Sequence, residues 1–209
     1  MKILLLFISS LFISAQPLDK SVSELSNYIL SEDFMKVRNQ NNDLATIDSL
    51  YLKVLNNHNG DISEGLLTIA FATLAFQKLP VQVPILNFKI YLSLSHVDER
   101  KFQQKVESLP KNLFFNSPKT KFGDKDKLAH FFGSAYLANS FTIFNLSKFM
   151  GIFIELFEAT FKVEGFLDYR DLVVNELGEL YGNALIRNPD LLPSDILKIY
   201  NLLFFRVTN

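Results

Sequence analysis

Apolar residues recur every three to four positions along most of the chain, the spacing of helices that bury one face. Val22, Leu25 and Ile29 set that period in Leu18–Arg38, which the pattern predicts as one helix before an amide-rich break at Asn39–Asp43. Leu44, Ile47, Tyr51 and Val54 then form a single stripe along Leu44–Leu55, an amphipathic helix. Asn56–Asp61 is a turn in which Gly60 is free to take positive φ and His58 is expected to face water. Ile62–Leu79, uncharged from Gly65 to Gln77, predicts a buried helix ended by Pro80. There the period changes to two. Leu86, Phe88, Ile90, Leu92 and Leu94 alternate with Asn87, Lys89, Tyr91 and Ser93, predicting one short extended segment near 83–94. Such a segment needs a partner for its backbone, and Val81–Val83 folding back on it would supply one. Val97–Leu109 is helical and charged, with His96 at its start explained by a local hydrogen bond.

The loop Lys111–Phe122 sets Leu113, Phe114 and Phe115 beside Lys111, Lys119 and Lys121. Apolar residues among lysines suit the surface of an anionic membrane, but Phe114 and Phe115 are expected to tuck into the core instead. Beyond it the pattern predicts helices over about Asp126–Asn145, over Lys148–Val163 and over about Asp171–Arg187. A last helix, Asp195–Phe205, has Ser194 as its N-cap. The fold class that follows is mostly α, a compact multi-helix bundle with one short extended segment near 83–94.

Residues 1–15 stand apart. Lys2, the apolar run Ile3–Ile13 and the small pair Ser14-Ala15 make a secretory signal with cleavage near Ala15. The run is short for a bilayer span, although an uncleaved N-terminal anchor is the competing reading. The expected organisation is therefore a signal peptide at 1–15, an N-terminal helical region at 16–122 and a C-terminal helical unit at 123–209, the last two fused in one domain. The location implied is outside the cytoplasm, periplasmic or envelope-associated.

Composition narrows the chemistry. The 209 residues carry a formal charge of -1, from 21 basic and 22 acidic side chains, which gives nucleic acid no general attraction. The chain has 21 Phe and no Trp, so it holds a large aromatic core or faces that meet lipid. With no cysteine, disulfides, Cys-ligated zinc, a thiol nucleophile and lipoprotein acylation are all excluded.

Candidate chemistry lies in the C-terminal unit. His130 is the lone side chain between Leu128 and Phe144 that can change charge near neutral pH, and Asp126 shares its helix face four residues earlier. Asp124 or Asp126 can cap that helix. Glu155, Glu158 and Lys162 line a stripe that suits solvent or a cleft equally well. Asp171, Asn175, Gly178 and Gly182 share one narrow face of the following helix. A solvated face gains nothing from two glycines, each about 1 kcal/mol worse than Ala in a helix, so that face should meet another helix closely. Gly133 allows the same approach from the other side. Asp171 and Asn175 are thereby carried inward, with His130 as an available partner. The structural polar network expected is Asp126, Lys127, His130, Asp171 and Asn175. One histidine among the carboxylates Glu155, Glu158 and Asp171 also matches acid–base chemistry or a hard or borderline metal. No cofactor motif occurs, and a metal ion is the sole cofactor this set suggests. Nucleophile elbow, phosphate loop and His-Glu-x-x-His are absent, so the residues name no reaction.

Asp126-Lys127-Leu128-Ala129-His130, then Gly151 with Glu155 and Glu158, then Asp171-Leu172-Val173-Val174-Asn175 with Gly178 and Gly182, resembles the VanZ-like family and, more closely, the YfiM-type lipoproteins of the bacterial envelope. The resemblance spans about Gly123 to Gly182. It implies an envelope setting, with Asp126, Lys127, His130, Glu155, Glu158, Asp171 and Asn175 as the motif positions, and it implies no reaction. Three roles remain open from sequence: a non-enzymatic structural or binding protein, a membrane-associated module, and a hydrolase using His130, Glu155 or Glu158, and Asp171. A membrane surface is the partner suggested.

Overall fold

The computed structural model describes residues 18–75, 78–83, 88–93, 98–140 and 169–204. The signal-like segment 1–15, His96 and the predicted helix Lys148–Val163 with Gly151, Glu155 and Glu158 lie outside the described residues. The chain is mostly helical. Within the described residues it forms α1 (18–29), α2 (Glu32–Gln40), α3 (Asp43–Asn57), α4 (Ile62–Ala72), β1 (Lys78–Val83), β2 (Phe88–Ser93), α5 (Glu99–Ser108), α6 (Lys125–Ser140), α7 (Tyr169–Leu185) and α8 (Pro193–Phe204).

Leu18–Arg38, expected as one helix, is two. Ser31 breaks it, because its hydroxyl accepts from Phe34 N–H at 3.3 Å and caps α2, whose first turn then holds Glu32 and Asp33. Asn42 caps α3 and Asp61 caps α4 in the same way. Between those two helices Gly60 sits at φ +85°, in the region an L side chain avoids. His58, expected in solvent, is instead half-buried. Its backbone N–H closes the end of α3 on Val54 and Leu55, and its Nε2 lies 3.0 Å from Thr68 Oγ1.

The larger correction concerns Pro80. It does not end the buried helix, which stops at Ala72, well before it. Thr73 Oγ1 donates back to the carbonyls of Ile69 and Ala70, while Lys105 Nζ donates to those of Ala72 and Leu74 at 2.8 and 3.2 Å. The orphan acceptors at the helix end are thus met by an ammonium that the dipole favours there. Pro80 lies in β1, opposite Tyr91 of β2, in an antiparallel pair. A two-stranded sheet consists entirely of edge strands, the setting in which a missing N–H is tolerated.

Lys105 is only 3% exposed, and burial lowers its pKa to about 8. Below that pH the amine is charged whether the chain is folded or not. Between about 8 and 10.5 the unfolded chain holds the extra proton, so this group adds stability as pH rises, up to roughly 3 kcal/mol. Denaturant unfolding of wild type and Lys105→Met across that window is expected to show the rise in wild type and its loss in the variant.

One apolar core runs through both halves of the chain. Leu25, Ile29, Phe34, Ile47, Leu50, Leu66 and Ile69 join Leu128, Phe131, Phe132, Val174, Tyr181 and Leu197 in it. Aromatic rings bind its centre: Tyr51 stacks on Phe132 at 6.5 Å, and Phe131 on Tyr181 at 5.3 Å. α6 packs most extensively on α7 and next on α4, while α8 lies against α3 and α7. Ser194 is not the N-cap of α8. Pro193 takes the first helical position, where its missing N–H is harmless, and Ser194 N–H donates to Asp48 of α3 at 2.8 Å. No helix among the described residues is long and apolar enough to cross a membrane.

Candidate functional site

The crossing of α6 and α7 holds the polar residues singled out above. Its closeness comes from glycine. A Cβ at Gly178 would overlap the Phe131 carbonyl oxygen and come within 2.9 Å of Ser134 Cβ; one at Gly182 would overlap the Ala135 carbonyl. Gly133 is buried in α6. Asn139 Nδ2 donates to the Gly182 carbonyl at 3.2 Å, a further tie between the same helices.

At the N-terminal ends of both helices two charged groups sit side by side. In the first, Lys127 Nζ bonds Asp126 Oδ2 at 2.5 Å and pairs with Asp171 Oδ1 across the interface. All three side chains are buried. Burial works against the Lys127 charge, but its bonds to the two carboxylates outweigh that, and its pKa is raised. In the second, Arg170 Nη1 bonds Asp124 Oδ1 at 2.8 Å, and the Ser117 hydroxyl donates to the other oxygen of Asp124. Burial nonetheless lifts the Asp124 carboxyl above its ordinary value, with Ser117 and Arg170 offsetting only part of the effect. The helix start is therefore organised differently from the expected carboxylate cap. Asp124 bonds Ser117 and Arg170 through its side chain, leaving its backbone carbonyl to receive Lys127 N–H at 3.0 Å. Asp126 bonds its neighbour Lys127.

One turn along α6, His130 meets α7. Asn175 Oδ1 lies 3.3 Å from His130 Nδ1 and 3.1 Å from Ser134 Oγ, which donates to it. An amide oxygen only accepts, so Nδ1 is the donor of that bond. Burial lowers the His130 pKa, more than nearby Asp171 and Asp126 raise it. Burial thus favours the neutral imidazole. That arrangement can orient a base, but it equally satisfies two polar groups inside a helix crossing.

Asp126, Lys127, His130, Asp171 and Asn175 come together; Glu155 and Glu158 lie outside the described residues. Among the described residues no group of three or more His, Asp or Glu is placed to hold a metal ion. Arg170, Ser117, Ser134 and Asn139 belong to the same assembly and were not singled out by spacing, and Asp124 was named only as a candidate helix cap. Arg170, adjacent to Asp171, carried the one available signal, a cation starting a buried helix face. Comparison with family models, curated proteins and solved structures gives no match.

Proposed function

We propose that this is an exported helical protein of the bacterial cell envelope, structural or binding in role, whose polar cluster clasps α6 to α7 and performs no reaction. The observation that carries this reading is the pairing of Lys127 with carboxylates from both helices, Asp126 and Asp171, above a crossing that two glycines bring to backbone contact. Each charge in the clasp meets another of its own set. The hydrolase alternative would need substrate to reach His130, yet His130, Asp126 and Asp171 are all closed to solvent. The residues 1–15 support export, and the VanZ-like and YfiM-type resemblance fits it. Five of the seven motif positions gather at one crossing, as a shared constraint of folding would require.

Unfolding of His130→Ala and Asn175→Ala tests the clasp. Each variant removes the His130–Asn175 bond at the crossing and is expected to lose about 1–3 kcal/mol, with the double variant losing less than the sum. Wild-type stability in both single variants would reject it. The lowered His130 pKa adds a pH signature. Below about 6.5 the unfolded chain takes up the proton more readily, so stability falls as pH falls through that range. His130→Ala should lack that share of the loss.

A further inference from the structure

Hydrogen bonds draw the start of α6, the end of α5 and the corner between α2 and α3 together, and they gather cations there. Asp43 Oδ2, in the first residue of α3, accepts from Asn112 N and Nδ2 at 2.7 Å each and from Lys111 N at 3.4 Å. The Lys111 carbonyl accepts Asp124 N–H at 2.9 Å, and Gly123 permits that approach, since a Cβ there would overlap the same carbonyl. Lys125 comes next in the chain. It is 3% exposed, and its Nζ donates to the Glu107 carbonyl at 3.1 Å. Arg38 lies in the last turn of α2, on the other arm of the corner. Burial works against the Lys125 charge, and so do Arg38 and Lys111, with Glu107 and Asp43 offsetting only part of this, so its pKa is lowered. Both other cations are thus within electrostatic reach of Lys125. Among the described residues none of the three forms an ion pair. Lys111 Nζ instead donates to the Thr120 carbonyl at 3.4 Å. A buried cation without a counter-ion is costly, and two more cations beside it raise that cost.

We propose that Arg38, Lys111 and Lys125 form a binding site for a phosphate group. Arg38 and Lys111 are half-buried and remain within reach of solvent. The guanidinium offers paired donors that match phosphate oxygens, and the Lys111 ammonium offers a movable point charge. Lys125, closed from solvent, acts through its field. Three cations suit a dianion better than a single carboxylate. The two carboxylates nearby oppose it little, because Asp43 is held by three donors and Glu107 is exposed and screened. None of the three cations belongs to the α6–α7 clasp, so the site and the clasp stand or fall separately.

Titrating the full chain into millimolar inorganic phosphate at constant ionic strength, read by broadening of the phosphorus resonance, tests the site. Co-sedimentation with phosphatidylglycerol-containing vesicles, and with pure phosphatidylcholine vesicles, is the second arm. Broadening that wild type produces and Arg38→Gln/Lys111→Gln does not is the expected result, and it assigns a soluble phosphate. Sedimentation with the anionic vesicles alone, lost in the same variant, would assign the same chemistry to a lipid headgroup. Each single substitution should weaken binding about fivefold. Glu107→Gln removes an opposing charge from an exposed position and should tighten binding by a similar factor. All three positions are at least partly open to solvent, so the urea midpoint should stay near wild type. No response in either arm, or a response that Arg38→Gln/Lys111→Gln keeps in full, would overturn the proposal, as would weaker binding by Glu107→Gln.

Discussion

Lys127→Met is expected to lose about 3–5 kcal/mol of unfolding free energy, because it strands the buried carboxylates of Asp126 and Asp171 without their cation. Met keeps the length of the side chain, so the loss reports charge and not volume. The informative companion is Asp126→Asn/Lys127→Met/Asp171→Asn. Replacing a whole buried ionic set is frequently neutral, whereas breaking it is not, so most of the stability should return. Equilibrium urea unfolding of the single and triple variants measures both values. A single variant as stable as wild type would mean that the carboxylates find another counter-charge, and the clasp would no longer explain the crossing.

The second large effect is expected at Gly182. Gly182→Leu places a side chain where the Ala135 carbonyl now sits, and backbone cannot yield as a side-chain tip can. The helices must separate, opening the Lys127–Asp171 pair and the aromatic packing of Phe131 on Tyr181 together. Overpacking alone costs about 1–3 kcal/mol, and the linked losses should carry the total beyond that. Better helix propensity returns only about 1 kcal/mol. Gly178→Leu should behave likewise, and near-ultraviolet circular dichroism would show the tyrosine environment changing. A Gly182→Leu protein that melts with wild type would show that the crossing is looser than its backbone distances imply.

How far the sequence foretold this arrangement depends on the kind of signal each residue carries. Gly178 and Gly182 were legible because glycine on a regular helical period is unfavourable unless something else requires it. A face that holds Asp171, Asn175 and two glycines has few uses besides a close crossing. His130 was legible for a similar reason, as the one histidine in an otherwise apolar stretch of helix. The Asp124–Arg170 pair was not. Its members are 46 residues apart, and an aspartate just before a helix already has a sufficient local explanation as a cap. Ser31 carried a readable cap signal, with Glu32 and Asp33 after it, that the longer apolar period concealed. Pro80 misled because its local rule, that proline stops helices, competes with an event a few residues earlier. α4 ends where Lys105, 33 residues beyond Ala72, arrives to cap it, and no spacing within α4 announces that. Phe115, expected in the core beside Phe114, is 62% exposed, and its backbone N–H donates to Asn201 Oδ1 86 residues away, a contact its local sequence does not announce.

The bond between Ser194 N–H and Asp48 joins residues 146 apart and brings the last described helix onto the third. A chain that emerges from its N-terminus first must therefore leave the part of α3 that α8 covers exposed until almost the whole protein is available. Contacts this distant in sequence slow folding and leave a long interval in which sticky surface is uncovered. Loss of α8 would then act at the other end of the chain. A version truncated before Pro193 should aggregate through its N-terminal helices although none of their residues has changed.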